Sequence, residues 1–246
     1  MDTWRCIIHD AADAPTNMAI DESLLISGTP TLRLYTWHPS ALSIGYFQGI
    51  HEEVDLEACQ QHGVDVVRRI SGGGAVYHDR QGELTYSLMV PEQALPHDVQ
   101  QSCKRICTAL AAGLQQLGVD ARFAPLNDVV VNGQKISGSA QTRRRGHVLQ
   151  HGTVLLDVDA ALMFTLLRVS DTKIAGKGID EASARVTSLS ALLGDIDRDD
   201  VIGALRRGFM DTFSVALEDG ALTDDERKRL PGLREKYASD EWTFQR

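Results

Sequence analysis

The sequence predicts an α+β fold. Short β-type and helical segments alternate from one end of the chain to the other. No internal repeat and no Pro/Gly/Ser-rich linker interrupts them. Apolar residues make up 43% and charged residues 24% of 246 positions, the composition of a globular chain with a sizeable core. The whole of 1–246 therefore reads as a single domain.

The elements follow in order. Thr16 or Asn17 can cap a first helix reaching about Ile26, closed by Gly28. Strands are expected at Leu32–Trp37 and Ala41–Gly45, and a short helix at Leu56–His62 ends at Gly63. Val64–Arg69 is β-branched and apolar and runs into Ser71-Gly72-Gly73-Gly74. Ala75–His78 and Glu83–Val90 form two strands around the polar turn Asp79–Gly82. Val99–Leu117 is the clearest helix: Val99, Cys103, Ile106, Leu110, Leu114 and Leu117 recur every three or four residues. Asp98 and Gln101 fit a capping box before it, and Gly118 fits the left-handed position after it. Asn132-Gly133 between apolar runs makes Asp128–Ser137 a tight hairpin. A strand at Val148–Leu156 follows, then helices at Ala160–Leu167, Asp200–Phe213 and Thr223–Tyr237. Thr223 and Glu226 form a second capping box, and Pro231 disturbs the far half of the last helix.

Composition excludes several classes. No apolar run is long enough to span a membrane, and Met1–Arg5 lacks the layout of a signal peptide, so the expected location is cytoplasmic. The net charge of −9 argues against a general nucleic-acid binder, yet permits a local basic pocket for a small anion. Cys6, Cys59, Cys103 and Cys107 lack metal-type spacing and read as buried free thiols.

Three segments carry chemistry. Arg68-Arg69-Ile70-Ser71-Gly72-Gly73-Gly74-Ala75-Val76-Tyr77-His78-Asp79 places three costly glycines beside two arginines. Backbone N–H groups can converge there on an anion, with arginine donors adjacent. It also reads as a flexible turn beside two surface arginines, and composition does not separate the two. In Asn127-Asp128 through Gly133-Gln134-Lys135-Ile136-Ser137-Gly138-Ser139-Ala140-Gln141, Lys135 stands on a strand among small residues. A lysine so placed can hold a carboxylate and a phosphate together, or be a solvated edge residue. His151 in Gln150-His151-Gly152-Thr153 is a pocket residue or a satisfied core histidine.

In this order the three segments resemble the lipoate–protein ligase A family. Asn17–Glu22, Arg185–Leu189 and Lys236–Phe244 support the match, which spans nearly the whole chain. The resemblance implies the biotin/lipoyl protein ligase-like fold, a central mixed β-sheet flanked by helices. It implies activation of lipoate or octanoate with ATP and Mg²⁺ to an acyl-adenylate, then transfer to one lysine of a lipoyl carrier. That carrier would be an E2 lipoyl domain, a glycine-cleavage H protein or an H-like lipoate carrier. By the same resemblance Lys135 is catalytic. Arg69, Ser71, Gly73, Gly74, Ala75, Val76, Tyr77, Asn127, Asp128, Lys135 and Lys177 bind ATP or the adenylate. Gly74, Lys135, His151 and Gly152 border lipoate, and Asp128 helps place the metal. Leu34, Trp37, Ile44 and Val76 are candidate pocket walls.

Within the superfamily the competitor is an octanoyl- or lipoyl-transferase working through a cysteine thioester. In related transferases that cysteine precedes the lysine motif or lies some way after it. Here Arg122–Val129 has none, and none follows Cys107. Another competitor is a non-catalytic delivery subunit, which would lack Arg69 or Lys135. The chain ends two residues after Phe244, without the accessory domain of many relatives, so the expectation is either a separate accessory protein as partner or a single-domain branch that works without one. Arg143-Arg144-Arg145 reads as a solvated turn, or as a dock for acidic carriers. The segment Asp171–Glu181 resembles the loop that closes over the adenylate.

Overall fold

The computed structural model describes residues 2–157, 159–168 and 184–246. In chain order the strands are β1 (Asp2–Ile8), β2 (Thr31–Tyr35), β3 (Ala41–Ile44), β4 (Asp65–Arg68), β5 (Val76–His78), β6 (Glu83–Pro91), β7 (Ala121–Ala124), β8 (Asp128–Val131), β9 (Gln134–Arg144), β10 (His147–Leu155) and β11 (Val215–Asp219). The helices are α1 (Ala14–Ser27), α2 (Ile50–Glu53), α3 (Leu56–Gln61), α4 (Val99–Gln116), α5 (Ala160–Leu166), α6 (Leu189–Leu193), α7 (Arg198–Phe213), α8 (Asp224–Ala238) and α9 (Asp240–Thr243).

Eight strands form one mixed sheet in the order β11-β1-β2-β6-β10-β9-β8-β7. β1 runs parallel to β11 and β2, and the pairs from β2 onward are antiparallel. A second sheet has the order β4-β3-β5. Alternation along β2 and β6 separates two cores. Leu32, Leu34, Leu84, Tyr86 and Leu88 join α4 and α7 in one cluster. Tyr35 and Met89, on the other face, join α1 and Val67 and Ile70 from the small sheet's side. Both faces of the central strands are therefore dry, which suits polar side chains only where they satisfy one another.

Local chemistry sets the ends of the elements. Asp13, rather than Thr16 or Asn17, caps α1: its carboxylate accepts the Thr16 N–H at 2.8 Å. Pro15 is tolerated because the first-turn N–H groups have no helical partner. Asn17 is instead buried, and its Oδ1 accepts from Arg33 at 2.6 Å. Asp98 caps α4 through the Gln101 N–H, and Gly118 takes φ 92° beyond it. Asn132 and Gly133, at φ 51° and 81°, turn β8 into β9. The capping box of α8 forms as expected, and the helix runs through Pro231. Its Glu226 also receives the Arg5 guanidinium at 2.7 Å, tying α8 to β1. Burial pushes the Glu226 carboxyl up, but Arg5, the Thr223 N–H and the Ser27 hydroxyl outweigh it and bring the pKa to about 2.

Candidate functional site

A cavity of about 130 Å³ lies between the glycine loop after β4, the small sheet, and strands β9 and β10. Arg69, Gly73, Gly74, Ala75, Val76, Asn127, Lys135, His151 and Gly152 all stand on its wall.

Arg69 organises the glycine loop. Its Nε donates to Ser71 Oγ at 3.2 Å. Nη1 donates to Ser43 O and Oγ at 2.9 and 3.1 Å. Nη2 donates to Gly72 O and Gly74 O at 2.8 and 2.6 Å. All five donors are thus engaged, each by a neutral oxygen, and among the described residues no carboxylate pairs with Arg69. Burial lowers its pKa to about 10, which leaves it charged at neutral pH. Because a trans peptide holds N–H opposite C=O, the N–H groups of Gly73 and Ala75 point away from the guanidinium. Neither has a protein acceptor among the described residues. Gly73 sits at φ 90°, a backbone conformation side chains rarely adopt, and a Cβ on Gly45 would strike the Gly73 carbonyl.

Behind the loop runs a buried chain of polar groups. Ser71 Oγ lies 2.6 Å from His151 Nε2, and His151 Nδ1 lies 3.0 Å from Asp21 Oδ2. Ser71 already accepts from Arg69, so its proton goes to His151 Nε2 and the imidazole donates from Nδ1 to Asp21. Burial pushes the His151 pKa down, against the pull of Asp21. Asp21 is itself buried, which raises its carboxyl. Hydrogen bonding to His151, the Arg33 charge at 2.8 Å and the Ser87 hydroxyl at 2.7 Å outweigh that, and the net shift is downward. The order Ser71–His151–Asp21 has the contacts of a nucleophile, base and orienter. Ser71 is fully buried and off the cavity wall, so the chain holds the loop instead.

A parallel chain reaches Arg69 from the other side. Ser43 Oγ lies 2.8 Å from His78 Nε2, and His78 Nδ1 lies 2.8 Å from Glu83 Oε1. Trp37 stacks on His78 at 4.1 Å and donates to Thr85 Oγ1 at 2.7 Å. Trp37, Tyr35 and Met18 make the aromatic and thioether part of the wall.

Lys135 stands on β9, with Nζ 2.7 Å from Asp128 Oδ1 and its side chain 42% exposed. Its N–H donates to Arg185 O and its carbonyl accepts from Thr187 N–H, both at 2.8 Å. Gly138 makes room for it, since a Cβ there would lie 2.6 Å from Lys135 Cε and Nζ. A Cβ on Gly152 would strike Gly138 O, Ser139 Oγ and Tyr86. Asn127 laces the preceding loop to β9: its amide donates to Ser139 O, and its carbonyl accepts from Ser139 N at 3.1 Å.

The remaining expected residues fall elsewhere. Tyr77 points away from the cavity into a third core cluster, and its hydroxyl donates to Asp79. Strand alternation explains this, because Val76 faces the cavity. Leu34 and Ile44 are core, whereas Trp37 is wall. Asp128 serves Lys135, and among the described residues no group of three or more His, Cys, Asp or Glu is placed to hold a metal ion. Lys177 and the Asp171–Glu181 loop lie outside the described residues. All four cysteines are free and buried, and none is on the cavity wall. Sequence reasoning gave no role to Asp21, Ser43, His78 or Thr85. Asp21 lies in the quoted Asn17–Glu22 segment, the one local signal that could have flagged it.

The model described as lipoyl protein ligase A/B catalytic domain matches residues 13–210, and the chain belongs to that family. The fold is that of solved lipoate–protein ligases. It is similar to the bipartite ligase of Thermoplasma acidophilum, reported with its E2 lipoyl domain, at TM-score 0.90 and 31% identity over 99% of this chain and 97% of that one. Its curated relatives include octanoyltransferases LipM. That of Kyrpidia tusciae is 39% identical and that of Brevibacillus brevis 36%, each over 100% of both chains.

These relatives overturn the expectation of an ATP-dependent ligase that forms an acyl-adenylate. In the sequence the transferase is disfavoured only by the lack of a cysteine in Arg122–Val129 or after Cys107. That lack argues against one intermediate, not against transfer: a donor that brings a good leaving group needs no enzyme thiol. The chain is an enzyme of the lipoyl- and octanoyl-handling class. Among the described residues no helix is long and apolar enough to cross a membrane.

Proposed function

We propose that this enzyme transfers an octanoyl group from an activated acyl donor, a thioester, to the ε-amine of one lysine on a lipoyl carrier domain. The observation that carries the reading is Arg69, a buried cation without a counter-ion among the described residues, whose bonds turn two loop N–H groups outward beside the cavity. Attack on a thioester carbonyl builds negative charge on oxygen, and fixed donors beside a fixed positive charge stabilise it.

In the transfer, the acceptor nitrogen forms a C–N bond to the carbonyl carbon and the C–S bond breaks. The amine proton leaves and the thiol departs protonated. Lys135, at the cavity mouth beside Asp128, is the group placed to handle that proton and to hold the carbonyl oxygen. Trp37, Tyr35 and Met18 accommodate the acyl chain and keep water out.

The test omits ATP. The purified chain is incubated with an octanoyl thioester and an apo E2 lipoyl domain, and the domain's mass is followed. Octanoylation of its lysine is expected. No product from the thioester, with full product from free octanoate plus ATP, would overturn the reading.

A further inference from the structure

We propose that the turn after β3, with Tyr46 and Phe47 at its crest and Arg144 and Arg145 beside it, is the docking surface for the acidic face of the acceptor domain. The nature of that acceptor rests on the transfer reading above.

Phe47 is 69% exposed, more than any other large hydrophobic in the described structure. Solvent does not explain such a residue on a rigid turn, and this turn is rigid. The buried Arg68 donates to Gly45 O, Tyr46 O and Gln48 O at 3.1, 3.2 and 2.7 Å, and to Thr243 O at 2.9 Å. Trp242 closes the clamp by donating to Arg68 O at 2.8 Å and packing 5.8 Å from Tyr46. Phe47 meets Tyr46 edge-on at 5.0 Å. An aromatic ring held out this way is preorganised for contact, which lowers the ordering cost of binding.

The charge beside it is positive and without a counter-ion among the described residues. Arg144 lies 5.3 Å over the Tyr46 ring and donates to Ile70 O at 3.3 Å, and Arg145 is exposed in the β9–β10 turn. Neither has a carboxylate partner among the described residues. Arg122, Arg206, Arg227, Lys228 and Arg234 are each paired with an aspartate, whereas Arg144 and Arg145, like Arg80, Arg105 and Arg207, are not so paired among the described residues. A protein of net charge −9 that leaves arginines unpaired beside an exposed phenylalanine presents a local complement to an acidic, partly apolar surface. A long nucleic acid would meet the repulsion of the whole molecule, so a small folded domain fits better.

The surface adjoins the site. Tyr46 N–H donates to Ser71 O at 2.9 Å, and Gly45 packs on Gly73. The turn and the cavity wall therefore share one loop, and a domain seated on Phe47 rests against the outside of the glycine loop.

The test measures binding separately from chemistry. Affinity of the full chain for an apo E2 lipoyl domain is read by calorimetry for wild type, Phe47→Ser, Arg144→Glu and Arg145→Glu. Octanoyl transfer to a small amine is read in parallel. Each variant is expected to weaken binding about tenfold or more, with small-amine transfer and melting temperature unchanged. The wild-type affinity should fall with added salt, less steeply in the charge variants. Unchanged affinity in all three variants would overturn the proposal. So would a wild-type dimer in sedimentation that Phe47→Ser dissolves, or a loss of polyanion binding without loss of domain binding. Failure of transfer with docking intact would sink the acyl-transfer reading and leave this one standing.

Discussion

Arg68 and Arg69 are neighbours in the chain, yet their guanidinium groups hold two different sets of backbone carbonyls. Arg68 grips Gly45, Tyr46, Gln48 and Thr243. Arg69 grips Ser43, Gly72 and Gly74. One residue step moves the charge from an outer turn to the cavity wall. Lysine cannot do either task, because it has three donors on one atom and no planar fork.

Arg69→Lys is therefore expected to lower octanoyl transfer by about a hundredfold or more, the scale of losing an oxyanion donor. Steady-state kinetics with a small amine acceptor would show the loss in kcat. A variant at wild-type rate would remove Arg69 from its role.

Asp21→Asn keeps the shape of the chain behind the loop but offers His151 Nδ1 a different partner. If the amide donates, the imidazole switches tautomer and Ser71 loses its acceptor at Nε2. Transfer should fall about tenfold to a thousandfold, and imidazole nitrogen chemical shifts should report the exchanged tautomer. Unchanged shifts and rate would mean the chain does not set the loop.

Gly138→Ala places a Cβ against Lys135 Cε and Nζ, at the flexible end of a side chain. The fold should survive with a melting temperature near wild type while transfer falls about tenfold or more. Gly152→Ala meets backbone and a buried ring, so it should lower stability by about 1–3 kcal/mol, measured by urea unfolding. Equal effects of the two on stability would contradict this division.

His9 gives a pH signature. Burial and the Arg33 charge lower its pKa from 6.5 to about 4, and its Nδ1 accepts from Arg33 at 2.9 Å. The unfolded chain binds this proton first as pH falls, so stability is full above about 6.5 and declines between 6.5 and 4. Urea midpoints at pH 7 and 5 should differ, and His9→Gln should shrink the difference. Glu226 adds a second decline below about 4.5, as its depressed carboxyl is forced to take a proton.

Much of the fold was legible because its signals are local. The Val99–Leu117 stripe, the Asn132-Gly133 hairpin and the Thr223–Glu226 box each appear where the residues place them. β1, β7 and β11 were not foreseen. β7 is four residues long with only Ala121 buried, and β1 and β11 acquire their partner only when the chain's two ends meet. The sequence points to Thr16 or Asn17 as the cap of α1, whereas Asp13 holds it, because Asn17 is drawn inward by Arg33. In the site, the glycine loop, Lys135 and His151 were visible as motifs. The chains that hold them were not, because Asp21–His151 and Ser43–His78 join residues 130 and 35 positions apart. Sequence spacing carries no trace of such contacts.

The satisfied donors of Arg69 have a further consequence. A charge whose hydrogen bonds are already committed cannot choose its ligand by shape; it acts as a field. Such a field does not distinguish an oxyanion that forms during reaction from a carboxylate that arrives ready-made. Free octanoate is thus a natural decoy for this site, and should compete with the thioester donor while leaving the carrier's affinity alone. Octanamide, the same length without the charge, should compete far less well.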